Sequence, residues 1–224
     1  MIEVIPAIIP ESFEKIREKL SLVEGQVHKV QIDIVDGKYA PPKTWPLMDS
    51  SQYTQLSKIV AGQEKFPYID SFKVEIDMMI LHPIEYLSDF LSIGAKSFVV
   101  HIDSTSHIKE CIDTIKHANC NVGLGIKPST DLQTLQPFLL DIDFVQFMGS
   151  DKVGYGGVEL DINVYNKISN LHNDHPSIPI QIDIGVNFDT PHKLIMAGAS
   201  ALVSGSTIFD SPNIRDAIIK LQNS

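Results

Sequence analysis

The sequence predicts a single (β/α)8 barrel spanning residues 1–224, and three observations carry that expectation. Short β-branched strands alternate eight times with helical segments, and no Pro/Gly/Ser-rich linker divides the chain. The length of 224 residues is one that such barrels reach undivided. An open doubly wound sheet is the competing arrangement of the same units.

In chain order, Glu3–Ile9 is a short apolar strand closed by Pro10, and Glu11–Leu22 a helix with Phe13, Ile16, Leu20 and Val23 at helical spacing. Val27–Ile34 is the second strand, followed by a long loop through Trp45-Pro46 and a helix at Ser51–Val60. Phe72–Met78 is the third strand; Pro83 opens a helix to Ile93, which Gly94 caps. Strand Ser97–Ile102 precedes helix Ser106–Ala118, and strand Asn121–Ile126 precedes a short helix at Asp131–Phe138. Strand Phe144–Met148 leads through a glycine-rich loop, Gly149–Gly157, into a helix ending at Leu171. Strand Pro179–Ile184, helix Asp189–Ala197, strand Ala201–Ser204 and helix Pro212–Leu221 complete the set.

Three of these strands share a feature that points to function. Val30, Ile32 and Ile34 alternate with Gln31, Asp33 and Val35, and the strand breaks at the turn dipeptide Asp36-Gly37. In the third strand Lys73, Glu75 and Asp77 alternate with apolar residues, and in the seventh Gln181 and Asp183 share a face. Each could be an edge strand with a solvated polar face. Recurring three times between helices that need a sheet to cover, the pattern instead predicts one polar mouth, at the C-terminal strand ends where barrels carry their chemistry.

Composition bounds the rest. A net charge of −10, from 18 basic and 28 acidic residues, disfavours a nucleic-acid partner. Cys111 and Cys120 lack metal-type spacing and read as free thiols of a reducing compartment. No apolar run is long enough to span a membrane, and Met1-Ile2-Glu3 lacks a basic signal-peptide start, so a cytoplasmic location is expected.

Asp33 and Asp183 suit a general acid and base acting on opposite faces of one carbon next to a carbonyl. With Asp77 they form a cluster that calls for a cation. That cation is either a metal on Asp33, Asp77, Asp183 and the amide oxygen of Gln31, or Lys127 at the end of the fifth strand. The loop Gly154-Tyr155-Gly156-Gly157, the turn Gly205-Ser206 and Gly185 suit a phosphate cup, because glycines let backbone N–H groups approach an anion. His101 and Asp103, at the end of the fourth strand, are assigned structural roles.

These stretches, in this order, resemble the ribulose-phosphate 3-epimerase family. The similarity runs over Val30–Gly37, the segment from Asp77 to Pro83, Gly123–Leu132, Met148–Gly157, Asp183–Val186 and Val203–Phe209. The resemblance implies a (β/α)8 barrel, a phosphorylated ketose as small-molecule partner, and homo-oligomers. It further implies interconversion of ribulose 5-phosphate and xylulose 5-phosphate, with two aspartates moving the C3 proton and a divalent metal stabilising the ene-diolate. By the same resemblance Met79 and Met148 join the sugar-binding residues.

Several positions depart from the family pattern. Histidine is replaced by Gln31 and by Asp77, serine by Ala7, methionine by Val35, asparagine by Lys127 and glycine by Ile184. Both imidazole ligands are therefore gone, while both acid/base aspartates remain. An all-oxygen donor set favours magnesium or manganese over zinc or iron, with no metal as the alternative. Three functions follow: a ketose-phosphate 3-epimerase with a harder metal site, a Lys127-dependent aldolase or decarboxylase-like enzyme on the same scaffold, or a sugar-phosphate binder without catalysis.

Overall fold

A computed structural model describes residues 1–224. Eight strands close into one parallel barrel in sequence order: β1 (Glu3–Ile8), β2 (Lys29–Val35), β3 (Lys73–Met79), β4 (Ser97–His101), β5 (Asn121–Ile126), β6 (Phe144–Met148), β7 (Ile180–Asp183) and β8 (Ala201–Ser204). β1 pairs with both β2 and β8, so no edge is left open. The open-sheet alternative is thereby excluded.

Outside the barrel lie α1 (Phe13–Val23), α2 (Ser50–Val60), α3 (Leu87–Ser92), α4 (Ile108–His117), α5 (Asn163–Asp174), α6 (Pro191–Ala197), α7 (Ser206–Phe209) and α8 (Ile214–Gln222). Ser12 caps α1 by accepting the Lys15 N–H at 3.2 Å, and Asp49 caps α2 through the N–H groups of Ser51 and Gln52. The outward residues of the strands, among them Val30, Ile32, Ile76, Phe98, Leu124 and Ile182, pack on helix stripes such as Ile16, Leu20, Leu56, Ile112 and Ile168. Each such side chain, fully buried, contributes roughly 1.5–3 kcal/mol.

Three helical expectations are corrected. The helix expected over Pro83–Ile93 divides into a 3-10 turn, Pro83–Glu85, and α3; His82 before it is left-handed (φ 57°) and offers no side-chain cap. The segment Leu132–Phe138 is 3-10 rather than α, with Pro137 inside it lacking the N–H an α ladder needs. α5 begins at Asn163, so the glycine-rich loop is longer than expected, and α7 is an additional short helix after Gly205.

Inside the barrel, Ile5, Ala7, Ala201 and Val203 of β1 and β8 form a small separate apolar cluster, and β2, β3, β4, β6 and β7 contribute polar side chains. Parallel register sets Gln31 beside Glu75, Asp33 beside Asp77, Gln146 beside Gln181 and Met148 beside Asp183. Side chains of one face therefore converge as polar layers inside the barrel. No helix is long and apolar enough to cross a membrane.

Candidate active site

The upper layer of the lumen holds Asp33, Asp77 and Asp183, which present carboxylate oxygens within 4.8 Å of one another. Asp77 is fully buried, whereas Asp33 and Asp183 retain 4% and 8% exposure and line a cavity of about 230 Å³ at the barrel mouth. Asp33 and Asp183 thus face the cavity, and Asp77 lies behind them in the same layer.

Amide, backbone N–H and imidazole groups surround this cluster. Gln31 Nε2 donates to Asp33 Oδ1 at 2.8 Å and to Asp183 Oδ2 at 3.2 Å, bridging β2 and β7. The Ile184 N–H donates to Asp183 Oδ1 at 2.7 Å. Gln146 Nε2 donates to Asp77 Oδ2 at 2.9 Å, and His101 Nε2 lies 2.8 Å from Asp77 Oδ1. The imidazole fits there because β5 carries Gly125: a Cβ at that position would stand 2.7 Å from His101 Nδ1. The structural role expected of His101 is thus specific, namely positioning Asp77.

Burial, followed by the charges of Asp183 and Asp77, pushes the Asp33 carboxyl well above the usual carboxylate range. Burial and then the Asp77 charge raise Asp183 to about 7. A cluster in this condition favours a proton or a cation. The residues fit an oxygen-coordinated divalent cation: three carboxylates converge, and Gln31 Oε1 is buried with no hydrogen-bond partner, so rotation of the amide would add a fourth oxygen.

The residues expected to hold phosphate gather at the same mouth. Gly154, Tyr155, Gly156 and Gly157 from the β6–α5 loop share the cavity wall with Gly185, after β7, and with Gly205 and Ser206, after β8. Met79 and Met148 form its apolar side near Asp33 and Asp183. The loop needs its glycines: Gly154 has φ +86° and a Cβ there would meet the Pro41 carbonyl oxygen at 2.5 Å.

Lys127 is placed elsewhere. Its Nζ is 3.1 Å from Asp103 Oδ2 and 4.1 Å from the Tyr39 ring centroid, outside the cavity wall. Tyr39 Oη donates to Asp103 Oδ1 at 2.6 Å, completing a latch between the loops after β2, β4 and β5. Burial opposes ionisation of Asp103, but the hydrogen bonds from Tyr39 and Lys127 hold its carboxyl below the usual range. Asp36 performs a related task, accepting the N–H groups of Lys38 and Tyr39 and, at 2.9 Å, that of Leu81.

Two residues at the site escape a reading of the sequence. Gln146 interrupts the apolar run Phe144–Met148 two residues before Met148, just as Gln31 and Gln181 stand two residues before Asp33 and Asp183, and that spacing is the signal that could have found it. Lys19 reaches the cavity wall from α1, and nothing in the helical pattern distinguishes it from neighbouring surface lysines.

Comparisons with known proteins agree with the geometry. The chain is 26% identical over 230 residues to ribulose-phosphate 3-epimerase of Bacillus subtilis, covering 100% of each. It is 29% identical over 220 residues to the chloroplastic ribulose-5-phosphate-3-epimerase of Arabidopsis thaliana, covering 95% of this chain and 73% of that one. Among solved structures, the 3-keto-L-gulonate-6-phosphate decarboxylase of Vibrio cholerae superposes with a TM-score of 0.71 at 12% identity, covering 100% of this chain and 95% of that one. The 3-hexulose-6-phosphate synthase of Salmonella typhimurium gives 0.72 at 15% identity, covering 99% and 97%. At those identities the two structures speak for the barrel alone. The model of the ribulose-phosphate 3-epimerase family matches residues 3–209. With that match over nearly its whole length, the chain belongs to the ribulose-phosphate 3-epimerase family.

Proposed function

We propose that the protein epimerises a phosphorylated ketose at C3, ribulose 5-phosphate and xylulose 5-phosphate or a relative, with Asp33 and Asp183 as the proton-transfer pair. The observation that carries this reading is the placement of the pair. Both carboxyls are buried and raised by like charge, and they line one cavity from β2 and β7, three strands apart around the barrel. Such a pair shares its protons, so that one member is a base while the other is an acid.

The C2 carbonyl acidifies the C3 proton. The ionised aspartate removes that proton from one face, the electron pair moves into an ene-diolate, and the protonated aspartate returns a proton to the opposite face. The reverse direction exchanges the two roles. Magnesium or manganese held by Asp33, Asp77, Asp183 and Gln31 would neutralise the carboxylate cluster and polarise the ketose oxygens. His101 and Gln146 keep Asp77 in place beneath the pair, and the apolar side of Met79 and Met148 keeps water from the reacting carbon.

The aldolase reading gains no support from the position of Lys127, whose ammonium is committed to Asp103. A binder without catalysis would have no use for a proton-sharing pair. The test is deuterium incorporation at C3 of ribulose 5-phosphate in heavy water, with and without added magnesium or manganese. Asp33→Asn and Asp183→Asn are each expected to slow exchange by about 10²–10⁴-fold. Exchange at the unaltered rate in either variant would remove that residue from the mechanism.

A further inference from the structure

We infer that Lys19 is the cationic ligand of the substrate's phosphoryl group, an anchor from α1 that supplements the glycine-rich loops. This rests on the reading of the cavity as a sugar-phosphate site. The charged side chains on the cavity wall are Lys19, Asp33, Asp183 and Asp210, so Lys19 is its one cation. The Lys19 ammonium forms no ion pair with any carboxylate of the chain. It is half-buried, with Nζ 4.9 Å from the Phe209 ring centroid, and Phe209 is itself part of the wall. The ring steadies the lysine stem by a cation–π contact, which leaves the N–H donors free to face an anion.

Electrostatic need points the same way. A phosphate monoester near neutral pH carries almost two negative charges, and this protein carries −10. Carboxylates beneath and beside the cavity add further repulsion. Backbone N–H groups of a glycine loop supply only partial charges, whereas a lysine supplies a whole one in a partly desolvated position. Ser206 and Gly205, after β8, share the wall with Lys19, so a phosphoryl group bridging them would leave the ketose chain extending toward Asp33 and Asp183.

Calorimetric titration of the full chain with inorganic phosphate tests this directly. Lys19→Met is expected to weaken phosphate binding on the order of tenfold to a hundredfold, the range for loss of a charge-assisted hydrogen bond. Lys19→Arg, which keeps the charge and the helix propensity, is expected to recover most of it. If Lys19→Met lowers the melting midpoint, Lys19→Gln is titrated in its place. Phosphate affinity indifferent to the loss of charge overturns the inference. So does wild-type protein that binds neither inorganic phosphate nor ribulose 5-phosphate. The two readings separate cleanly. Lys19-dependent phosphate binding without C3 exchange keeps Lys19 and removes the epimerase, whereas C3 exchange with Lys19-independent phosphate binding does the reverse.

Discussion

Two buried carboxylate centres stand two residues apart on β3, and they are compensated in opposite ways. The lower one is Glu75, fully buried, with Lys29 Nζ at 2.6 Å, Ser97 Oγ at 2.6 Å and Gln181 Nε2 at 2.9 Å. The upper one contains Asp77, equally buried, which shares its layer with Asp33 and Asp183 and has an imidazole and amides for company but no lysine or arginine. The chain Gln181 Nε2 to Gln146 Oε1, at 2.5 Å, joins the two centres through the lumen. The comparison separates a charge that folding has already neutralised from one left for chemistry. Glu75 is paired inside the barrel; Asp33 and Asp183 face the cavity without a lysine or arginine beside them.

The largest expected effect comes from making the lower centre resemble the upper. Lys29→Met removes the cation and leaves Glu75 alone in the lumen, which costs about 3–5 kcal/mol by the usual penalty for breaking a buried ion pair. The Lys29 side chain is 15% exposed, so screening by water is weak. Urea unfolding measures the loss, and adding Glu75→Gln to Lys29→Met is expected to restore most of it. A cost below about 1 kcal/mol would mean that the ion pair contributes little to the lower centre and that the two centres do not differ as described.

How much of this is legible in the sequence follows from what each feature depends on. The three strand-end aspartates can be read because period-2 alternation and an adjoining turn are local properties. The pairing of Lys29 with Glu75 cannot, since it requires the β2–β3 register and knowledge of which face turns inward. Lys19 lies on a helix position that reads as solvent-facing, and only the neighbouring Phe209 shows where its ammonium sits. Lys127 illustrates the converse. Its place after a strand is legible, but its partner Asp103 belongs to the loop of a different βα unit.

The second test gives the upper centre what it lacks. Burial, and then the Asp77 charge, push the Asp183 carboxyl up to about 7 from the ordinary 3.8, so between these values the folded protein binds more protons than the unfolded chain. Stability from this group is present in full below pH 3.8 and is lost as pH rises through about 7. In chelator-treated protein, wild type is therefore expected to lose stability relative to Asp183→Asn over that interval. Magnesium or manganese at neutral pH is expected to reduce the difference by neutralising the cluster. A wild-type curve rising relative to the variant would contradict the raised titration of the upper centre.

The smallest effect concerns the backbone that serves the upper centre. Ile184 directs its N–H at Asp183 Oδ1 from a left-handed conformation, φ 73°, which a β-branched residue adopts only under strain. The conformation is enforced on both sides: its carbonyl oxygen packs so closely on Gly149 that a Cβ there would clash with it well inside van der Waals contact, and Gly185 follows at φ +75°. Ile184→Gly would relieve about 1–2 kcal/mol of backbone strain while keeping the N–H. Against this stand the lost packing on Met79 and Met148 and the greater freedom of glycine in the unfolded chain. The terms offset to within about 1 kcal/mol, so the denaturation midpoint is expected to shift little. Ile182, two residues earlier and fully buried in regular β7, has no strain to relieve, and Ile182→Gly is expected to cost about 3–5 kcal/mol. Equal costs at the two positions would mean that no strain is held at Ile184. A wide gap would locate it where an unpaired carboxylate, rather than the packing of the strand, dictates the path of the chain.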